Sequence, residues 1–366
     1  MGKIYKTDQR NYMKQKKIRV AIAGLGNCAG SLIEGLSYYQ QNKSVEGLVF
    51  PLLGGYSIND IEIVCAFDIS TQKIGKTIDK AIYEKPNNFH TIAGINLLKM
   101  GQVLRGPTLD GNPEHLQKFV RESEEKNVEV AEVLKKYKVD VLLNLLPTGS
   151  NEATAHYGLS ALKAGCAFIN CIPTIFAQRI DISNQFKKQR LPLIGDDIKS
   201  QVGSTILHRS VLNMLKNRGA KIIKSSQINI GGNTDFANFI YRAQTKLVSK
   251  YKSLNLFIQE GVPNHIGHHY DSTKGAFKKA LFDIEATVFA GSRVKISIQL
   301  KSDDKPNSAG SVVDLIRIAK YEKDKGNGGI IKGACAYYMK SAPYPMKDDE
   351  AYSLVLKTWT QSKIIL

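Results

Sequence analysis

Over the first 200 residues, short apolar runs alternate with polar, helix-forming stretches. Residues 18–23, Ile-Arg-Val-Ala-Ile-Ala, are the first such run, and their length and glycine boundary predict a buried strand. A helical pattern follows over about residues 31–40, and the glycine- and asparagine-rich residues 41–60 predict an inserted loop. A second strand is predicted at residues 61–67, ending at Asp68. A charged amphipathic helix is predicted from about 114 to 137. Residues 139–146 are almost entirely apolar, the pattern of a strand with helices over both faces. They run into Pro147-Thr148-Gly149-Ser150, a turn that opens another helix. Residues 167–171 and 191–195 read as two more strands. This βαβαβ alternation predicts a parallel sheet.

The texture changes from residue 206. Residues 222–230, 282–290 and 294–300 read as strands, several with period-two alternation, and residues 311–325 as a helix. The expected class is α/β: a doubly wound parallel-sheet domain over residues 1–205 and a second α+β domain over 206–310. A helix and tail over 311–366 are expected to return to the first domain.

Composition narrows the function. The chain has 366 residues, 43% hydrophobic and 23% charged, as for an ordinary globular protein. No run approaches the roughly 18 apolar residues of a membrane span. The basic N-terminal stretch has no apolar signal core, and Lys6 breaks the myristoylation pattern that Met1-Gly2 begins. A cytoplasmic location without a membrane partner is therefore expected. Cysteines 28, 65, 166, 171 and 335 are odd in number and never in C-x-x-C, which supports neither disulfides nor a zinc knuckle. The net charge of +18 comes mostly from dispersed lysines without an RNP-type aromatic segment. That pattern favours a small anionic substrate over nucleic acid.

Several segments carry candidate chemistry. Gly24-Leu25-Gly26-Asn27-Cys28-Ala29 matches G-x-G-x-x-A between a strand and a helix. Gly24 permits the turn, Gly26 lets backbone approach a dinucleotide pyrophosphate, and Ala29 keeps the helix close to the sheet. Cys28 reads as a small packing residue rather than a nucleophile. Asp68 can accept hydrogen bonds from ribose hydroxyls, although it lies about 40 residues after the glycines instead of about 20; the plainer reading is a strand-end cap. Residues 195–203, Gly-Asp-Asp-Ile-Lys-Ser-Gln-Val-Gly, crowd two acids, a lysine, a serine and an amide into one turn. Residues 231–236 set Asn233 and Asp235 at a helix entrance, and Lys246 and Lys250 follow at i,i+4, on one helix face. Residues 264–269, Asn-His-Ile-Gly-His-His, read as a loop with solvated or cation-binding histidines rather than a metal site. Charged residues also stand at strand or loop ends in residues 304–310 and 336–343.

Together these segments resemble the myo-inositol-1-phosphate synthase family in its shorter prokaryotic form. The matching stretches are 20–30, 66–68, 105–111, 139–150, 195–203, 231–236, 306–320 and 337–341, nearly the whole chain beyond residue 17. GDDIKSQVG and PNSAG are the most specific of them. The resemblance implies an NAD-dependent isomerase that converts D-glucose 6-phosphate into 1D-myo-inositol 3-phosphate. The family oxidises C5 with bound NAD, removes a C6 proton, closes the ring by aldol attack on C1, and reduces C5 again. Carried over by motif, Gly24, Gly26, Asn27 and Cys28 wrap the pyrophosphate and Asp68 meets the ribose. Pro147, Thr148, Asp197 and Ser200 line the rest of the cofactor site. Asp235, Lys246, Lys250, Asp304 and Lys340 face the substrate or nicotinamide, with Lys199 nearby. One further family lysine follows an acidic pair that this chain lacks; spacing to Asp304 favours Lys278, and Lys274 stays open. The resemblance also implies a homotetramer and leaves the metal unknown, a divalent or monovalent cation included. The alternatives are an NAD(P)-dependent dehydrogenase of the semialdehyde or homoserine type and a non-enzymatic NAD-sensing or nucleic-acid-binding protein.

Overall fold

The structure is a computed structural model that describes residues 17–360. The N-terminal stretch read for targeting signals therefore lies, but for Lys17, outside the described residues. Strands β1 (Ile18–Ala23), β4 (Ile61–Asp68), β5 (Gln102–Arg105), β6 (Val141–Asn144), β7 (Ala167–Asn170), β8 (Pro192–Ile194) and β13 (Gly329–Ile330) form one parallel sheet. Its order is β13-β8-β7-β6-β1-β4-β5, so the direction of winding reverses at β1. A crevice for a ligand opens at that point, at the carboxyl ends of the strands.

Helices cover both faces. On one side α1 (Asn27–Asn42), α10 (Asp304–Asp324), α11 (Lys332–Tyr338) and α12 (Asp348–Trp359) pack on Ile18, Val20, Ile22, Val141 and Leu143. On the other, α4 (Val130–Lys136), α5 (Asn151–Ala164) and α6 (Ile180–Lys188) cover Ala21, Ala23, Phe67, Leu142 and Phe168. Burial on both faces explains why the strands read as continuous apolar runs. The second sheet has the order β10-β9-β11-β12, from β9 (Lys221–Gly231), β10 (Asn264–Tyr270), β11 (Phe277–Thr287) and β12 (Arg293–Asp303). The helices α7 (Ser204–Asn217) and α9 (Gln244–Leu254) pack on it through Leu212, Leu254, Ile266 and Ile284, and α8 (Thr234–Arg242) packs against β10.

Four sequence expectations need correction. The predicted loop at 41–60 contains a short hairpin, β2 (Leu52–Leu53) and β3 (Tyr56–Ser57), turned by Gly54 and Gly55 at positive φ. The helix expected over 114–137 is two pieces, α3 (Glu114–Gln117) and α4, with irregular chain between. That chain bonds elsewhere: Ser123 N donates to Ile69 O at 2.8 Å, Val128 N to Arg105 O at 2.9 Å, and Arg105 pairs with Glu122 at 2.6 Å. Residues 264–269 belong to a strand, β10, parallel to β9. At Gly267 a Cβ would lie 2.9 Å from the Cδ1 tip of Ile228, which would have to turn aside. Finally, α10 begins at Asp304, because Pro306 falls in the first turn, where its missing N–H has no intrahelical partner to lose. The short α2 (Ile78–Ala81) completes the element list.

Candidate active site

A cavity of about 260 Å³ opens at the switch point, between the ends of β1, β4 and β6 and the first turns of α8 and α10. Gly24 adopts φ +90°, donates to Phe67 O at 2.9 Å, and leaves no room for a Cβ, which would lie 2.8 Å from Leu145 O. Gly26 differs: a Cβ there would meet no atom within 4 Å, so its bare face looks into the cavity. It is also the N-cap of α1, without a side-chain cap or an acidic residue in the first turn. The positive pole of the helix is thus open to an anion. Asn27 and Asn88 bond reciprocally at 2.9 and 2.7 Å beside it. The Cys28 thiol, pushed up to about 11 chiefly by desolvation, keeps its proton at neutral pH. Asp68 Oδ2 accepts from Leu25 N at 3.0 Å, and Oδ1 from Ile69 N and Ser70 N. Its carboxylate therefore both caps the strand end and lines the cavity. Pro147 and Thr148 form the facing wall; Thr148 donates to Asp235 Oδ1 at 3.2 Å, and Ser200 meets Ser308 at 3.0 Å.

A smaller cavity of about 40 Å³ adjoins the first, with Ser200, Asp235, Phe236, Lys246, Asp304 and Lys340 on both. Beneath it lies Asp197, fully buried and held at φ +65°. Its Oδ1 accepts from Lys246 Nζ at 2.9 Å and Lys340 Nζ at 3.0 Å, and Oδ2 from Ser249 Oγ at 2.6 Å. Lys278 pairs with Asp304 at 3.1 Å. Lys250 has no carboxylate within 4.0 Å among the described residues, only Ser204 Oγ at 3.5 Å. The first turn of α7 supplies Ser204 and Thr205, below an N-cap, Gly203, with no side-chain cap and no acidic residue in that turn.

The electrostatics follow from four lysines confined together. Burial lowers Lys250 well below the ordinary lysine range, and Lys278, Lys340 and Lys246 lower it further. Burial also brings Lys340 down to about 8, against the attraction of Asp197. Lys246 is raised, because Asp197, Asp235 and Asp304 outweigh its burial. Burial opposes ionisation of Asp197 and Asp304, yet the lysines win: Asp197 falls below the usual carboxylate range and Asp304 to about 2. Asp235 is raised, chiefly by burial. The pocket thus combines firm cations with amines able to release their protons.

Comparison with known proteins identifies the group to which this site belongs. A family model described as myo-inositol-1-phosphate synthase matches residues 203–305. The inositol-3-phosphate synthase of Corynebacterium glutamicum is 39% identical over 358 residues, covering 93% of this chain and 97% of that protein. The chain belongs to the myo-inositol-1-phosphate synthase family. The inositol-3-phosphate synthase of Mycolicibacterium smegmatis is 38% identical over 352 residues, 92% of this chain and 96% of its own. Among solved structures, Ari2 is similar at 30% identity and a TM-score of 0.74, over 93% of this chain and 98% of its own. The inositol-3-phosphate synthase of Caenorhabditis elegans shares the fold at 13% identity and a TM-score of 0.73, over 93% of this chain and 85% of its own.

The motif residues of this synthase family fall unevenly into the site. Gly24, Gly26, Asn27, Cys28, Asp68, Pro147, Thr148 and Ser200 line the large cavity, and Asp235, Lys246, Asp304 and Lys340 the junction. Lys250 and Lys278 reach the small cavity, whereas Lys274 pairs with Asp271 on a half-exposed turn. Two placements depart from expectation. Asp197 is not on the cofactor wall; its carboxylate is spent beneath the lysines. Lys199 points away, its Nζ donating to Ala336 O and Asp348 Oδ1, both at 3.0 Å, and it lines neither cavity. His268, read from the sequence as one of several histidines in a loop, lines the small cavity with its ring 4.9 Å from that of Phe239. Its signal is the period-two spacing from Ile266, visible only once the segment is known to be a strand. The sequence reading missed Ser249, one turn beyond Lys246.

Proposed function

We propose that this chain is an inositol-3-phosphate synthase that converts D-glucose 6-phosphate into 1D-myo-inositol 3-phosphate with NAD as a catalytic cofactor. One observation carries the reading: a lysine-lined polar pocket opens directly into a cleft whose floor is the uncapped N-terminus of α1. The residues fit a dinucleotide. The vacant face of Gly26 and the α1 pole suit the pyrophosphate, Asp68 the ribose, and Pro147, Thr148 and Ser200 the remaining wall. Bound NAD supplies the oxidation and the later re-reduction at C5.

The chain's own residues do the rest. The open first turn of α7 and the lysines around it hold the sugar phosphate. Lys340, near 8, takes the C5 hydroxyl proton and returns it at the end. Lys250, the amine most disposed to be uncharged, accepts the C6 proton during enolisation. Lys246 and Lys278 hold the negative charge that develops on oxygen in the enolate and in the aldol step. Asp235 and Asp304 orient these cations, and Asp304 fixes Lys278. Among the described residues no cluster of three or more His, Cys, Asp or Glu is arranged to hold a metal ion. A divalent or monovalent cation remains part of the proposal, as a co-ion of the cofactor or substrate phosphate.

The reading extends to a homotetramer joined through the second sheet, whose outer face leaves Ile228, Ile230 and Leu281 half-buried. It extends also to a cytoplasmic location without nucleic-acid partners; no described helix is long and apolar enough to cross a membrane. Incubation with glucose 6-phosphate and NAD, followed by phosphorus NMR, tests the activity. An inositol phosphate formed without net NADH is expected, whereas NADH accumulating in proportion to product points to a dehydrogenase and overturns the reading.

A further inference from the structure

The large cavity contains a buried cation that the steps above do not use. Lys305, on the first turn of α10, is 3% exposed and lines this cavity but not the lysine-rich pocket beside it. Its Nζ donates to Ala276 O at 2.5 Å and makes no other hydrogen bond or ion pair among the described residues. An ammonium carries three donors, so two are unspent on the protein, although the Asp304 carboxylate offsets part of its charge. The other lysines of the same cavity are all paired: Lys246 and Lys340 with Asp197, and Lys73 donates to Leu25 O at 2.8 Å and Asn87 Oδ1 at 3.1 Å, with Asp68 at 3.6 Å. A second observation concerns placement. Gly26 and Cys28, at the start of α1, and Lys305, in the first turn of α10, line the same cavity. The ammonium and the open helix pole therefore belong to one cleft.

We propose that Lys305 is a built-in counter-ion for the cofactor pyrophosphate, holding the anion from the α10 side while the N-terminus of α1 holds it from the other. The proposal rests on the NAD reading given above. It assigns the chain a fixed cation beside the cofactor phosphates.

Calorimetric titration of NAD into the full chain and into Lys305→Met, which keeps length without charge, tests it. A charge-assisted contact of this kind predicts a roughly ten- to hundredfold weaker affinity in the variant. A flatter dependence on salt is also expected, while adenosine, which carries no phosphate, binds both alike. Lys305→Gln serves in the same titrations if Lys305→Met does not fold. NAD affinity unchanged in a folded variant overturns the proposal, as does a parallel loss of adenosine affinity. An unchanged NAD affinity with a raised KM for glucose 6-phosphate overturns it in favour of the substrate phosphate. A wild-type chain that binds no NAD overturns the functional reading itself, and this proposal with it.

Discussion

Asp197 binds two lysines through a single oxygen while its backbone sits in the left-handed region at φ +65°. Non-glycine residues avoid that region, so surrounding contacts must hold it there. Lys340 N donates to Asp197 O at 2.7 Å and Ser249 to its carboxylate, and together they fix the turn. Asp197→Asn leaves Lys246 and Lys340 without their shared anion, a buried pair broken on one side. It should lower stability by about 3–5 kcal/mol in urea melts. Turnover is expected to fall at least about a hundredfold in the variant that remains folded. In the wild type, a step that needs the free amine of Lys340 should make kcat rise with pH through about 8 and level off above it. A flat profile from pH 7 to 9 removes Lys340 as the base. The linkage to stability has the same sign. Because the folded value lies below that of a free lysine, the unfolded chain binds more protons above pH 8, and this site becomes less destabilising as pH rises. Much of this site was legible in the sequence, since Lys246 and Lys250 already shared a helix face and residues 195–203 were visibly too polar for a simple connection. Lys305 and His268 were not. Each carries a common side chain whose role depends on what lies opposite in three dimensions, as does the diversion of Lys199 to Asp348.

Elements at the switch point were readable for a physical reason: β1, β4 and β6 are buried on both faces, and their apolar runs have no other use. Pieces whose backbone partners are distant were not. Ser123 and Val128 spend their N–H groups on Ile69, just past β4, and on Arg105 of β5 rather than on a helix of their own, and no local pattern announces that. The two glycines before α1 show how an element end serves binding and folding separately. Gly24→Ala forces a Cβ into backbone 2.8 Å away at φ +90°, so loss of stability is expected first. Gly26→Ala meets nothing in the protein and should cost under about 1 kcal/mol, yet the new methyl enters the space assigned to the pyrophosphate. Thermal melts paired with NAD titrations should separate the two. Gly26→Ala keeps nearly the wild-type melting temperature and loses roughly tenfold or more in affinity. Equal affinity in that variant removes the α1 pole from the cofactor site.

At the scale of the whole molecule, the site is closed by the end of the chain. Lys340 follows α11, and Ser341 N and Asp196 O bond at 3.1 Å, so the C-terminal segment pairs with the loop after β8. Asp348, in the first turn of α12, then bonds Lys199 at 3.0 Å and Arg209 at 2.5 Å, and Arg209 also donates to Met346 O at 2.9 Å. One carboxylate thereby ties α12 to α7 of the second sheet and to the loop that carries Asp197. Burial has already brought Lys199 down to about 8, and Asp348 is what keeps it from falling further. Asp348→Ala leaves both cations buried and unpaired, and a loss of about 3–5 kcal/mol is expected. Because the tie runs through the loop to Lys340, kcat should fall more than NAD affinity, with the pH midpoint of kcat displaced from about 8. If stability drops while the kcat midpoint stays in place, the tail is a structural clamp with no influence on the lysine pocket.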